Sequence, residues 1–255
     1  MIRLTDYPLI VFVVSLALLL SSVWAGASIF RKRWQPRESM RDDFSVIQAA
    51  ALTLLGLIIG FTFSMAINRY DQRKNLEEAE ANAIGTEFLR AGLLPAADAA
   101  RVRALLADYF DQRVLFYTTR DAEQLKQINA RTAQLQAALW SAVAVPAAAA
   151  PSPTMAVVVI GMNDVLNAQG YTQAAWWNRI PAAAWILMVT IAVCCHLLVG
   201  YGVKDPRAER TLLLVLPLVM SISFLLIADI DSPRGGVIRV KPDNLLSIAE
   251  TLRPR

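Results

Sequence analysis

The stretch FSVIQAAALTLLGLIIGFTFSMAINRYDQRKNLEEAEANAIGTEFLRAGLL, residues 44–94, constrains this chain more than any other. From Phe44 to Asn68 it carries no charge. At about 1.5 Å per helical residue, that is enough to cross the roughly 30 Å hydrocarbon layer of a bilayer. Arg69, Asp71, Arg73, Lys74, Glu77, Glu78 and Glu80 follow, yet no proline intervenes before Pro95 and helix formers dominate. One helix that leaves the membrane without stopping is therefore predicted. The charges from Arg69 to Glu80 read as a solvated face, with surface salt bridges worth about 0.2–0.5 kcal/mol each.

Three further runs have spanning length: Pro8 to Phe30, Ile180 to Val203, and Thr211 to Ala228. The chain is 56% hydrophobic with a mean hydropathy of +0.42, too apolar for an ordinary soluble domain, while 18% charged residues are too many for a wholly buried one. The expected fold is an all-α integral membrane protein with four transmembrane helices in two hairpins, the second helix continuing into an extramembrane helical bundle. The expected domains are a first hairpin over 1–67 (helices 8–30 and 44–67), the helical domain over 68–178, a second hairpin over 179–231 (helices 180–203 and 211–230), and a tail over 232–255. Ala25-Gly26-Ala27 resembles a signal cleavage site, but the apolar run is too long for a signal core and Arg31-Lys32-Arg33 follows it directly, so a retained first helix is predicted.

The predicted hairpin loops hold Arg31, Lys32, Arg33, Arg37 and Arg41, then Lys204, Arg207 and Arg210. Because short loops dominate the positive-inside rule, these basic residues place the hairpin loops in the cytoplasm and the central domain outside. A net charge of +4, with basic residues beside apolar runs, does not form a nucleic-acid-binding stripe.

Within the second membrane helix, Ala49, Thr53, Gly56, Gly60 and Ser64 recur at steps of three and four and share one face. Gly56-x-x-x-Gly60 lets a second backbone approach closely, and Thr53 or Ser64 can add an interhelical hydrogen bond. The same small, weakly polar face suits the lining of a conduction path, with Phe61 or Phe63 as an apolar constriction that gates by dewetting. Where the helix becomes wet the face reaches Asp71, able to attract cations or simply to be solvated.

The central segment repeats helical apolar faces: Val102, Leu105, Leu106, Tyr109, Phe110, Arg113 and Phe116, then Leu125, Ile128, Thr132, Leu135 and Leu139. A break is predicted from Pro146 to Pro153, after which Ser152 caps a helix with Pro153 at its first position. With the extension of the long helix, this makes a four-helix bundle. Trp176 and Trp177 read as interfacial indoles. Cys194 and Cys195 form no disulfide framework, and with His196 they fan apart by about 100° per residue, too widely to ligate one ion unaided. His196 is a candidate cross-helix donor or pH-sensitive group on a watery path. After Pro217, expected to kink the last membrane helix, Asp229 and Asp231 are candidate ion-attracting or regulatory carboxylates, with an arginine partner or a capping role as the alternative. Asp243 reads as the cap of a final helix through Leu252. No HExxH, GxSxG or phosphate-binding loop is present, so the sequence points to neither an enzyme nor a cofactor- or metal-bound protein.

The runs GLIIGFTFSMAINRYDQRKN, EANAIGTEFLRAGLLP and DIDSPRGGVIRVKPDNL, with the two-hairpin layout, resemble the bestrophin-like domain family of mostly bacterial membrane proteins. The resemblance implies likeness to bestrophins, homopentameric channels, usually for anions, whose second membrane helix lines a hydrophobic neck and continues into a helical wet domain. It thus implies an oligomeric, favourably pentameric, ion channel of the bacterial inner membrane, with the lipid bilayer, further copies of the chain and inorganic ions as partners. It also places the helical domain in the cytosol, opposite to the side that the loop charges favour. No counterpart to the contiguous acidic calcium clasp of bestrophins is present. The rival expectation is a nonconducting membrane sensor or scaffold whose helical domain binds a ligand or partner protein. In that case the Gly56/Gly60 face is sealed by the first or fourth membrane helix.

Overall fold

The computed structural model describes residues 4–30, 41–203 and 210–252. Every regular element among them is helical: α1 (Pro8–Ala25) with a π-helical end at Gly26–Phe30, α2 (Arg41–Arg90), α3 (Ala96–Thr118), α4 (Ala122–Ala149), α5 (Pro153–Trp177), α6 (Ala182–Gly202), α7 (Arg210–Asp231), α8 (Asp243–Ser247) and α9 (Ala249–Leu252), with single 3-10 turns at Leu4–Asp6 and Ala91–Leu93. Among the described residues, four helical segments each contain an apolar stretch long enough to cross a membrane: Pro8–Phe30, Phe44–Leu93, Pro153–Gly202 and Leu213–Asp231. The loop residues Arg31, Lys32, Arg33, Arg37, Lys204 and Arg207 lie outside the described residues.

The chain forms two compact units, Met1–Tyr70 with Arg179–Arg239, and Asp71–Asn178 with Val240–Arg255. In the first, α1 packs along both α6 and α7. Leu19, Met188, Ala192, Cys195, Phe224 and Ile227 are buried between them, joined by Leu55 and Ala66 of α2. Glycine decides how closely α1 and α6 approach. A Cβ on Gly26 would overlap the carbonyl oxygen of Leu197, and one on Gly200 would overlap that of Val23. Gly26, in the cleavage-site look-alike, is thus a packing residue at the end of α1. Where the chain leaves α7, Arg179 pairs with Asp231 at 3.0 Å and with Asp6 at 2.8 Å. Asp231 also accepts from the Ile180 backbone N–H at 3.1 Å.

The second unit is a bundle of the distal part of α2 with α3, α4 and α5. The faces expected from periodicity are the buried ones, including Val102, Leu106, Tyr109, Phe110 and Phe116 on α3 and Ile128, Leu135 and Leu139 on α4. Ser152 Oγ accepts from the Met155 N–H at 3.1 Å and Pro153 opens α5, as expected.

Four local expectations are corrected. α4 runs through Pro146 to Ala149, because one missing N–H does not stop an alanine-rich turn; Ala150 N–H still bonds the Pro146 carbonyl, and the break falls at residues 150–152. Trp176 is not interfacial. It is buried in the bundle, 4.8 Å from the Phe116 ring and 5.5 Å from Tyr117, while Trp177 is exposed. Nor do the charges on α2 form one solvated face: Arg73, Glu77 and Glu80 are buried with partners inside the unit. Arg73 donates to the carbonyls of Ala175 and Asn178, acceptors at the C-terminal end of α5 that have no partner within the helix.

The last correction concerns Asp243, which is the first residue of α8 rather than its cap. Glu77 takes the capping role from α2, accepting from Leu245 N–H at 2.8 Å and Asn244 Nδ2 at 2.6 Å. Burial raises the Glu77 pKa above the usual carboxylate range against the lowering effect of these bonds. Glu77→Ala is expected to remove about 1 kcal/mol of capping and to release the segment from Asp243 to Leu252. Limited proteolysis should cut it faster than in the parent protein, and an unchanged cleavage rate would refute the role.

Candidate functional site

An α-helix turns about 100° per residue, so the α2 side chains at Leu55, Thr62 and Ala66 lie on one side and those at Thr53, Gly56, Gly60 and Ser64 largely on the other. The first set is buried in the protomer's own membrane unit and the second is exposed. Among the described residues, apart from the immediate neighbours and the local backbone of α2, no atom comes within 4 Å of where a Cβ on Gly56 or Gly60 would sit. The small-residue face is therefore not sealed by α1 or α7. Phe61 is 65% exposed and Phe63 37%, and they flank the stripe on its two sides. Thr53 Oγ1 donates to the Ala49 carbonyl at 2.9 Å, satisfying the hydroxyl within α2 rather than across to another helix. Asp71 is exposed on the same unbroken helix.

The other candidate residues are not brought to this face. His196 is buried within the membrane unit, with Nδ1 2.7 Å from the Ala192 carbonyl one turn earlier. Asp229 and Asp231 are buried, and their carboxylates are taken up by the chain itself. Asp229 accepts from the N–H groups of Val237 and Ile238 at 2.8 and 2.7 Å, folding the segment after α7 back onto its last turn. Asp231 holds Arg179 and the entry to α6. Asp231 thus has an arginine partner, while among the described residues Asp229 is bonded to backbone N–H groups alone. Among the described residues no group of three or more His, Cys, Asp or Glu side chains could hold a metal ion.

Sequence reasoning missed the buried charge network of the extramembrane unit. Glu80 receives Arg113 on both oxygens, Nε on Oε1 and Nη2 on Oε2 at 3.4 Å, together with Tyr117 OH at 3.0 Å and Thr172 Oγ1 at 3.3 Å. Burial lowers the Arg113 pKa, but Glu80 and the neighbouring tyrosines outweigh it and the guanidinium is held above its ordinary value. Burial, reinforced by Glu80, pushes the Tyr117 phenol up. The signal was present: Arg73, Glu77, Glu80, Ile84, Glu87, Ala91 and Leu94 alternate steps of four and three, and all are buried. A face of charges with core spacing is a packed face.

The family model of the bestrophin-like domain matches residues 10–245. Among solved structures, a bacterial bestrophin homologue from Klebsiella pneumoniae matches with a TM-score of 0.65 at 13% identity, over 96% of this chain and 95% of that one. Two single-substitution variants of that homologue match with TM-scores of 0.65 and 0.63 at 13% and 14% identity, over 96% and 94% of this chain and 97% and 93% of theirs. At such identity the likeness is one of fold. None of the curated proteins matches the sequence.

Proposed function

Because this chain belongs to the bestrophin-like domain family and is an integral membrane protein, we propose that it is an oligomeric ion channel in which several copies of α2 surround an axial pore. The observation that carries this reading is the open space at Gly56 and Gly60, opposite a side of α2 committed to its own protomer. In lipid, association relies on close backbone approach and packing, so an unfilled Gly-x-x-x-Gly face is a contact surface for further copies or the wall of a lumen. Thr53, Gly56, Gly60 and Ser64 keep that wall wide and weakly polar. Phe61 and Phe63 supply apolar bulk beside it, the material of a dewetting gate. Asp71 stands on the wet continuation of the same helix and is the candidate that attracts ions. The stoichiometry favoured is five and the membrane favoured is the bacterial inner membrane; no enzymatic step is assigned.

A second reading keeps one specific observation. A cleft of about 500 Å³ lies in the extramembrane unit, lined in part by Leu93, Asp98, Pro146, Ser152 and Met155, and a nonconducting sensor would use such a cleft for a ligand. Reconstitution separates the two. Purified protein in liposomes should pass chloride or potassium, and Gly60→Trp, which fills the open face without touching the protomer core, should reduce flux at least about tenfold while the oligomer persists on gel filtration. An intact wild-type oligomer that passes neither ion sinks the channel reading and favours the sensor.

A further inference from the structure

Glu87 lies on the inward face of α2 in the extramembrane unit, 0% exposed, and neither carboxylate oxygen has a hydrogen-bond partner. Glu77 and Glu80, buried on the same face, are both supplied with donors. The space that Glu87 occupies exists because residue 161 of α5 is glycine: a Cβ there would overlap Glu87 Oε2 and Arg90 Nη1. Two charged groups act on the carboxyl, Arg90 on α2 itself and Asp164 on α5, and these two stand 4.0 Å apart. From α3 comes Arg103, whose Nε donates to the Phe88 carbonyl at 3.3 Å and whose guanidinium lies 5.2 Å over the Phe88 ring. A carboxylate buried without donors is costly to ionise, whereas a neutral carboxyl is tolerated.

We propose that Glu87 is a proton-linked latch between α2 and α5: neutral, it packs into the notch at Gly161 and leaves Arg90 to Asp164; ionised, it draws Arg90 from Asp164 and loosens the contact. The proton is released to solvent. Burial pushes the carboxyl up to about 8, a shift that Arg90 opposes and Asp164 reinforces. A folded pKa above the ordinary value of 4.5 means that the folded state holds a proton that the unfolded state has lost. The stabilising effect is complete below about 4.5 and is lost as pH rises to about 8.

The test uses the full chain in detergent micelles, with thermal melting followed from about pH 5 to about pH 9 and the protonated-carboxyl band followed by infrared titration. Wild-type melting should fall by several degrees over that range, and Glu87→Gln should lack that part of the fall. The infrared band should include a component lost with a midpoint near 8 in the wild type, and Glu87→Gln should lack that component. Asp164→Asn, an exposed position, removes the reinforcing carboxylate and should move the midpoint down. Identical pH profiles for wild type and Glu87→Gln, or no carboxyl band lost above pH 6, would overturn the latch. Should Glu87→Gln not fold, the wild-type band and the Asp164→Asn shift still decide.

Discussion

Arg113→Leu is expected to destabilise the extramembrane unit by about 3–5 kcal/mol, the cost of leaving a buried carboxylate without its cation. Glu80 and Arg113 are both inaccessible to solvent, and of the groups bonded to Glu80 only Arg113 carries positive charge. With the guanidinium gone, Tyr117 and Thr172 supply two neutral donors that do not offset the desolvation of a full negative charge. That loss is a large share of the about 5–15 kcal/mol by which a domain is stable. Thermal denaturation of the purified protein should show the unit melting well below the wild type. The double variant Glu80→Leu with Arg113→Leu, which removes both charges and keeps apolar bulk, should recover most of the loss. If the single variant melts like the wild type, or the double variant is worse than the single, the pair does not hold the bundle in the way described.

In the membrane unit the largest expected effect is at Gly200. An alanine there would place its Cβ against the Val23 carbonyl, and backbone cannot swing aside as a side-chain end does. α1 and α6 must separate, at a cost of about 1–3 kcal/mol for overpacking, and Gly26→Ala should act in the same way against Leu197. Gly56→Ala is the control, since its Cβ would meet nothing in the protomer. In a detergent that dissociates the assembly to single protomers, Gly200→Ala should lower the melting temperature while Gly56→Ala, whose Cβ clears the protomer's own core, should not lower it. Equal effects at both positions would mean that the close α1–α6 approach is not a determinant of the unit.

The contrast among these glycines marks how far the sequence could be read. Gly56-x-x-x-Gly60 announces itself by spacing, and a shared small-residue face followed from the helical period alone. Gly26 and Gly200 announce nothing, because they are far apart in the chain and their role exists only when two helices meet. Similarly, Asp229 and Asp231 looked like a thin ion site because two carboxylates close in sequence resemble one. Their donors, the N–H groups of Val237, Ile238 and Ile180, are backbone groups whose direction the residue types do not reveal.

The four spans, their pairing into hairpins and the unbroken passage of α2 from an apolar to a charged stretch were set by local physics: the length of an apolar run against the thickness of a bilayer, and the absence of a helix breaker before Pro95. Which side of α2 is filled was decided by packing. In the membrane unit α1, α6 and α7 cover Leu55 and Ala66 and leave Gly56 and Gly60 bare; in the extramembrane unit Arg73, Glu77, Glu80 and Glu87 turn inward because other parts of that unit bring carbonyl acceptors to Arg73, donors to Glu77 and Glu80, and a glycine notch to Glu87. A charged side chain can be buried only where the rest of the fold supplies its partner, and that supply comes from residues distant in sequence.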